Sequence, residues 1–309
     1  MDYCLTTEGL VKKYKSFTAL DGVTMHIPKG AIYGFVGKNG AGKTTLIRLI
    51  CGLQEQDAGE YVLYGRKSRD KEINQMRRRM GAVVETPSLY LDMSASDNLK
   101  EQYRILGLPS FEGIDSLLEL VGLSDTGKKK VRDFSLGMRQ RLGIAVALAG
   151  DPDFLVLDEP ANGMDPQGII EIRELILKLN RERQITVLMS SHILDELSRL
   201  ATHYGFIEGG RIVKEISARE LEGALRRSVC LEVSDKVICA RVLEERGLEY
   251  EVVSETELNV FSETILSKLM VALDQAGCEV YSVKEKDEGL ESFYMNLVGG
   301  DGYEKTVGI

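Results

Sequence analysis

Nine consecutive residues, Gly37-Lys38-Asn39-Gly40-Ala41-Gly42-Lys43-Thr44-Thr45, constrain this chain more than any other stretch. They follow a short apolar run, Ala31 to Val36, that predicts a buried strand. They open a helical run from Leu46 to Leu53. A strand, a glycine-rich turn and a helix N-terminus together make a cradle for phosphate, because glycines let consecutive backbone N–H groups approach the ligand unobstructed. A glycine turn can also merely link a strand to a helix, and with 31 glycines in 309 residues a bare pair would mean little. The full GxxxxGK[ST] spacing in a strand-to-helix context is far more specific. On that reading Lys43 reaches the β- and γ-phosphates of a nucleotide and the Thr44 hydroxyl ligates Mg²⁺.

Length suggests about two domains. A hydrophobic content of 43% with 28% charged residues is that of a globular chain able to bury a sizeable core. The net charge of −9 argues against broad binding to nucleic acid or anionic membranes. The clusters Arg77-Arg78-Arg79 and Lys128-Lys129-Lys130 are too short to reverse that, and read as solvated faces. Apolar stretches such as Leu142 to Gly150 fall well short of the ~18 residues a membrane span needs. Met1-Asp2-Tyr3-Cys4 lacks the basic start and apolar core of a signal peptide. Five scattered cysteines without metal spacing fit reduced thiols, so a cytoplasmic location is expected.

Along the chain, Tyr3 to Pro28 reads as strand, turn, strand, and Pro28-Lys29-Gly30 turns it into the strand before the phosphate loop. Gly59 to Tyr64 predicts another strand, Asp70 to Arg79 a charged helix, and Met80 to Val84 a buried strand ending at Glu85. From Ser96 to Gly150 the pattern is all helical, with runs at Asp97–Leu106, Ile114–Val121 and Gly137–Ala149. Strand–helix alternation resumes at Phe154 and continues through Pro166–Asn180, Ile185–Met189 and Ile193–Leu200 to a hairpin across Glu208-Gly209-Gly210. Such alternation predicts a mostly parallel, helix-covered sheet. A second module is expected from about Ala218, in the order strand, helix, two strands, helix, strand, helix, which suits a split βαβ domain. It shows no catalytic cluster and reads as an interaction or regulatory module.

The run Phe154-Leu155-Val156-Leu157-Asp158-Glu159 places two carboxylates at the end of a buried strand, where ligands of parallel sheets collect. Asp158 is the candidate Mg²⁺ ligand, and Glu159 the candidate to polarise an attacking water. A strand ending in a polar cap is the plainer alternative. His192 follows Ser190-Ser191 at the end of the next strand, expected beside the first, and is a candidate γ-phosphate contact. Ser135 precedes an apolar helix and reads as its N-cap. Its free N–H groups could serve a second phosphate, but spacing alone favours an ordinary cap.

With these pieces in order, residues 3 to 216 resemble an ATP-binding subunit of the ABC transporter family. Gly37 to Thr45 matches the Walker A loop, including Gly37, Lys38, Asn39, Gly40, Ala41, Gly42, Lys43, Thr44 and Thr45. Phe134 to Arg141 is similar to the family signature, Phe154 to Glu159 to Walker B, Asn162-Gly163-Met164-Asp165 to the D-loop, and His192 to the switch histidine. The resemblance implies that Tyr14 stacks on adenine and that Asp165 lines the nucleotide site. It also implies that Ser135 and Gly137 of one copy contact the γ-phosphate held by Lys43 of another. Two features depart from the common pattern. Leu136 and Met138 replace Gly and Gln in the signature, and Glu85 stands where Gln is usual, which adds a carboxylate near Mg²⁺. Both, with a C-terminal extension of this size, are similar to the bacitracin- and lantibiotic-type export or immunity branch.

The expectation is therefore an α/β P-loop NTPase core of the RecA-like kind, residues 1–216, with a helical subdomain at about 86–150 and an antiparallel β part. A C-terminal α+β regulatory domain is expected over 217–309. The implied activity is ATP hydrolysis with Mg²⁺, powering a membrane exporter of a peptide antibiotic or other hydrophobic compound. Implied partners are membrane-spanning transporter subunits at the inner face of the cell membrane and a second ATP-binding subunit, identical or not, joined on ATP binding. Nucleic acid is not among them. A GTPase switch is disfavoured because no Asn-Lys-x-Asp motif occurs, and a nucleotide kinase because the signature helix is foreign to that class.

Overall fold

A computed structural model describes residues 2–224, 227–261, 266–287 and 290–298. They form two compact units, Met1–Ala218 and Arg219–Ile309. In the first, the order is β1 (Tyr3–Tyr14), β2 (Phe17–Pro28), β3 (Ile32–Val36), α1 (Lys43–Ile50), β4 (Ala58–Leu63), β5 (Arg66–Lys67), α2 (Ile73–Arg77) and β6 (Met80–Val83). Then follow α3 (Ala95–Leu106), α4 (Ile114–Leu120), α5 (Leu136–Leu148), β7 (Phe154–Asp158), α6 (Pro166–Arg183), β8 (Thr186–Ser191), α7 (Leu194–Ser198), β9 (His203–Glu208) and β10 (Arg211–Ser217).

The central sheet has the order β10-β9-β3-β8-β7-β6. It is parallel except for the β9–β10 hairpin. Every residue of β3, β7 and β8 is buried, the mark of strands covered on both faces, and this is why they read as continuous apolar runs rather than alternating ones. A second, antiparallel sheet, β2-β1-β4-β5, supplies Leu5, Leu10, Leu20, Val23, Met25 and Ile27 to one core shared with α1 and the central sheet. Glu215 of β10 links the two sheets, accepting from the buried Tyr33 hydroxyl at 2.6 Å and from the His26 backbone N–H at 2.8 Å.

Between β6 and β7 the named elements are helical, as the 96–150 texture predicted. Helix α3 begins two residues earlier than its apolar run, because Ser94 caps it. The Ser94 Oγ accepts from Asp97 N at 3.1 Å and donates to Asp97 Oδ2 at 2.7 Å. The charged run Asp70–Arg79 yields only the five-residue α2. Asp70 instead turns the chain, its carboxylate accepting from Lys67 N at 2.8 Å, and Ile73 is the only buried residue of α2.

The second unit opens on α8 (Ala218–Ala224) and continues with β11 (Arg227–Val233), α9 (Lys236–Glu245), β12 (Tyr250–Val252), β13 (Glu257–Val260), α10 (Leu266–Gln275), β14 (Val280–Asp287) and α11 (Leu290–Val298). Its sheet is antiparallel with the order β12-β13-β11-β14, the split βαβ arrangement. Alternate residues Val229, Leu231 and Val233 of β11 join Cys239 and Leu243 of α9 and Leu269 and Leu273 of α10 in a core of its own.

Candidate functional site

The phosphate loop leaves β3 and enters α1 through Gly42, whose φ of 110° is left-handed and favours glycine. A Cβ there would sit 2.6 Å from the Ala19 carbonyl oxygen, and one on Gly37 would sit 2.5 Å from that of Ile207. The packing therefore excludes any side chain at either position. No side chain caps α1, so its first N–H groups are left to a ligand.

Lys43 is the buried cation of the loop, only 5% exposed. Its ammonium donates to the carbonyls of Gly37 at 2.5 Å and Lys38 at 3.2 Å and lies 3.1 Å from Glu159 Oε1. Three acceptors match its three donors, so an incoming phosphate competes for a group that is already oriented.

Strands β3, β8 and β7 are neighbours, and their carboxyl ends carry the loop, His192 and the acidic pair together. In the β7–β8 register Asp158 lies opposite Ser190. Asp158 is 1% exposed, and among the described residues no cation forms an ion pair with it. Ser190 Oγ donates to its Oδ1 at 2.6 Å. A buried carboxylate with one hydroxyl donor and no counter-charge is costly by itself and suits a hard divalent cation. Glu159 follows in a left-handed backbone conformation, φ 50°, uncommon outside glycine and typical of strained functional positions. That turn points its carboxylate back over the loop, where one oxygen meets Lys43 and the other bonds His192 Nδ1.

The remaining candidates lie elsewhere in the chain. Ser135 caps α5, accepting from Met138 N at 3.2 Å, and is exposed. Among the described residues neither it nor Gly137 bonds to the phosphate loop. The loop ending in Asp165 packs on the same helix start: a Cβ on Gly137 would lie 3.1 Å from Met164 Cε. Asp165 itself caps α6, accepting from Gly168 N at 3.0 Å. Tyr14 ends β1 and is 39% exposed, its hydroxyl on Gln54 and Lys12 Nζ 5.6 Å from the ring centroid. Glu85 also has a left-handed φ, 59°, and is paired with Arg48 of α1 at 2.5 Å rather than with Asp158 or Thr44.

Two partners escaped the sequence reading. Ser190 appeared only as a strand end, because its link to Asp158 depends on a register that one sequence does not display. Arg48 lies unremarked within the helical run Leu46 to Leu53. Its link to Glu85 depends on where the chain after β6 passes α1.

Among the described residues no helix is long and apolar enough to cross a membrane. The ABC transporter family profile matches residues 20–162. The bacitracin transport ATP-binding protein BcrA of Bacillus licheniformis is 38% identical over 306 residues, covering 97% of this chain and 99% of that one. The lantibiotic transport ATP-binding protein SrtF of Streptococcus pyogenes is 42% identical over 220 residues, 71% of this chain and 92% of its own. Among solved structures, the dimeric bacterial ABC transporter cassette MJ0796 superposes with a TM-score of 0.63 at 26% identity, over 70% of this chain and 99% of that chain. A phosphate loop facing an acidic strand end and a histidine, on a core matched over nearly its whole length by transport ATP-binding proteins, leaves one conclusion: the chain belongs to the ATP-binding, ATP-hydrolysing subunits of the ABC transporter family.

Proposed function

We propose that this subunit drives export of a peptide antibiotic or a similarly hydrophobic compound through a separate membrane-spanning partner, docked at the inner face of the cell membrane. The relatives named for bacitracin and lantibiotic transport support that reading, and the bacitracin relative extends through the second unit as well. The observation that carries the mechanism is the convergence of Lys43, Asp158, Glu159 and His192 at the ends of three adjacent strands.

In this reading the N–H groups of Gly37 to Thr45 and Lys43 bind the β- and γ-phosphates, and Tyr14 offers its exposed ring to adenine. Asp158 and Thr44 would hold Mg²⁺, and Glu85 joins them only by leaving Arg48. When bound, the ion offsets phosphate charge. Glu159 orients the attacking water and takes up its proton, and His192 holds the Glu159 carboxylate in place. Ser135, Gly137 and Asp165 reach the nucleotide of a second copy, identical or not, so that each copy completes the other's site. Residues 217–309 regulate that cycle.

Glu159→Gln keeps the side chain's shape and removes the base. Turnover should fall by about 10²- to 10⁴-fold while ATP binding persists, and ATP with Mg²⁺ should shift the chain to a dimer on size exclusion. A variant that stays monomeric with bound nucleotide, or that hydrolyses at the wild-type rate, would contradict the proposal.

A further inference from the structure

Ser190 is a polar side chain at 0% exposure in a strand whose preceding residues, Val187, Leu188 and Met189, are apolar. Its hydroxyl makes two bonds to two successive residues. It donates to Asp158 Oδ1 at 2.6 Å and accepts from the Glu159 backbone N–H at 2.9 Å. One oxygen therefore sets both the carboxylate rotamer of Asp158 and the peptide plane that swings Glu159 into its left-handed turn, φ 50°. Nothing else about the position calls for a hydroxyl: alanine or cysteine would fit the strand, but would leave the Glu159 N–H and the Asp158 carboxylate without this partner.

We propose that Ser190 is a positioning residue, a single buried hydroxyl that aligns the metal-binding carboxylate with the water-orienting one. The proposal rests on the roles given above to Asp158 and Glu159. Groups that orient a metal ligand from behind typically change metal affinity or activity by about 10- to 100-fold when removed. Ser190 belongs in that range because, among the described residues, no cation pairs with Asp158 to hold it instead. The left-handed Glu159 backbone gives a second effect, since relaxing it would carry the carboxylate away from Lys43 and His192.

The test is Mn²⁺ binding by the full-length chain in the presence of a non-hydrolysable ATP analogue, followed by the electron paramagnetic resonance of free Mn²⁺. Ser190→Ala should weaken Mn²⁺ binding about tenfold or more and lower ATP turnover by about 10- to 100-fold, with metal-free nucleotide affinity unchanged. Ser190→Thr, which keeps the oxygen, should restore both. Ser190→Cys preserves volume but donates poorly, and serves if the alanine variant fails to fold; it should show the same loss at the wild-type unfolding temperature. A variant that melts earlier yet binds Mn²⁺ as tightly as wild type reduces Ser190 to packing and overturns the proposal. Asp158→Asn separates the two readings. If it abolishes Mn²⁺ binding while Ser190→Ala and Ser190→Cys bind Mn²⁺ as tightly as wild type, the proposal falls alone. If it too leaves Mn²⁺ binding intact, the proposal falls together with the metal site.

Discussion

Close to His192, Glu196 of α7 is buried, its Oε2 3.4 Å from Ser191 Oγ and its Oε1 without a hydrogen-bond partner among the described residues. Burial raises its pKa above the ordinary glutamate value. Ser191 and His192 pull it back, while Glu159 and Asp195 push it further up. The folded chain thus keeps this proton to a higher pH than the unfolded chain does. Its contribution to stability is complete below the unfolded pKa and is lost as pH rises through the folded one. Glu196→Gln, neutral at every pH, should therefore unfold at a higher temperature than wild type at pH 7 and at nearly the same temperature near pH 4.5. An equal difference at both values would contradict this. At this scale the sequence is a good guide where a motif names the residue and a poor one where a contact does. Lys43, Asp158 and Glu159 stand in ordered patterns with a chemical reason for each residue type. Ser190, Arg48 and Glu196 act through neighbours brought close by folding, and no spacing along the chain announces them.

Among elements, β8 is the one on which the site depends most. It lies between β3 and β7, so its register sets both the Asp158–Ser190 contact and the position of His192. Leu188, at its middle and 0% exposed, packs in the main core. Leu188→Ala should cost about 2–5 kcal/mol in denaturant unfolding, from lost transfer energy plus a cavity in the core on that face of the sheet. A cost below about 1 kcal/mol would show that the sheet collapses around the gap. Long periodic or continuous apolar runs made β3, β7, β8 and the helices from α3 to α6 legible, since burial imposes those patterns directly. The run 70–79 was misread in length because charge content gives no period, and an aspartate that can bond a nearby N–H turns the chain instead.

For the whole molecule, the two compact units differ in chemistry. The first holds every candidate site residue, and the second an antiparallel sheet with a separate apolar core. A chain ending at Ala218 should keep its basal ATP hydrolysis and change the rate seen with the membrane partner. If both rates and dimerisation match those of the full chain, residues 219–309 do not regulate. The proposed mechanism depends on two copies pairing. Ser135 is exposed at the start of α5 and, among the described residues, its hydroxyl accepts from Met138 N of its own helix, while Lys43 is buried in the phosphate loop. The most direct measurement mixes two variants, Lys43→Ala and Ser135→Phe, each expected to be inactive alone. If two copies complete each other's pocket, every mixed dimer holds one intact site, and an equal mixture should recover about a quarter of wild-type ATP turnover. A mixture as inactive as its parts, or a Ser135→Phe chain that hydrolyses ATP at full rate as a monomer, would contradict the shared site.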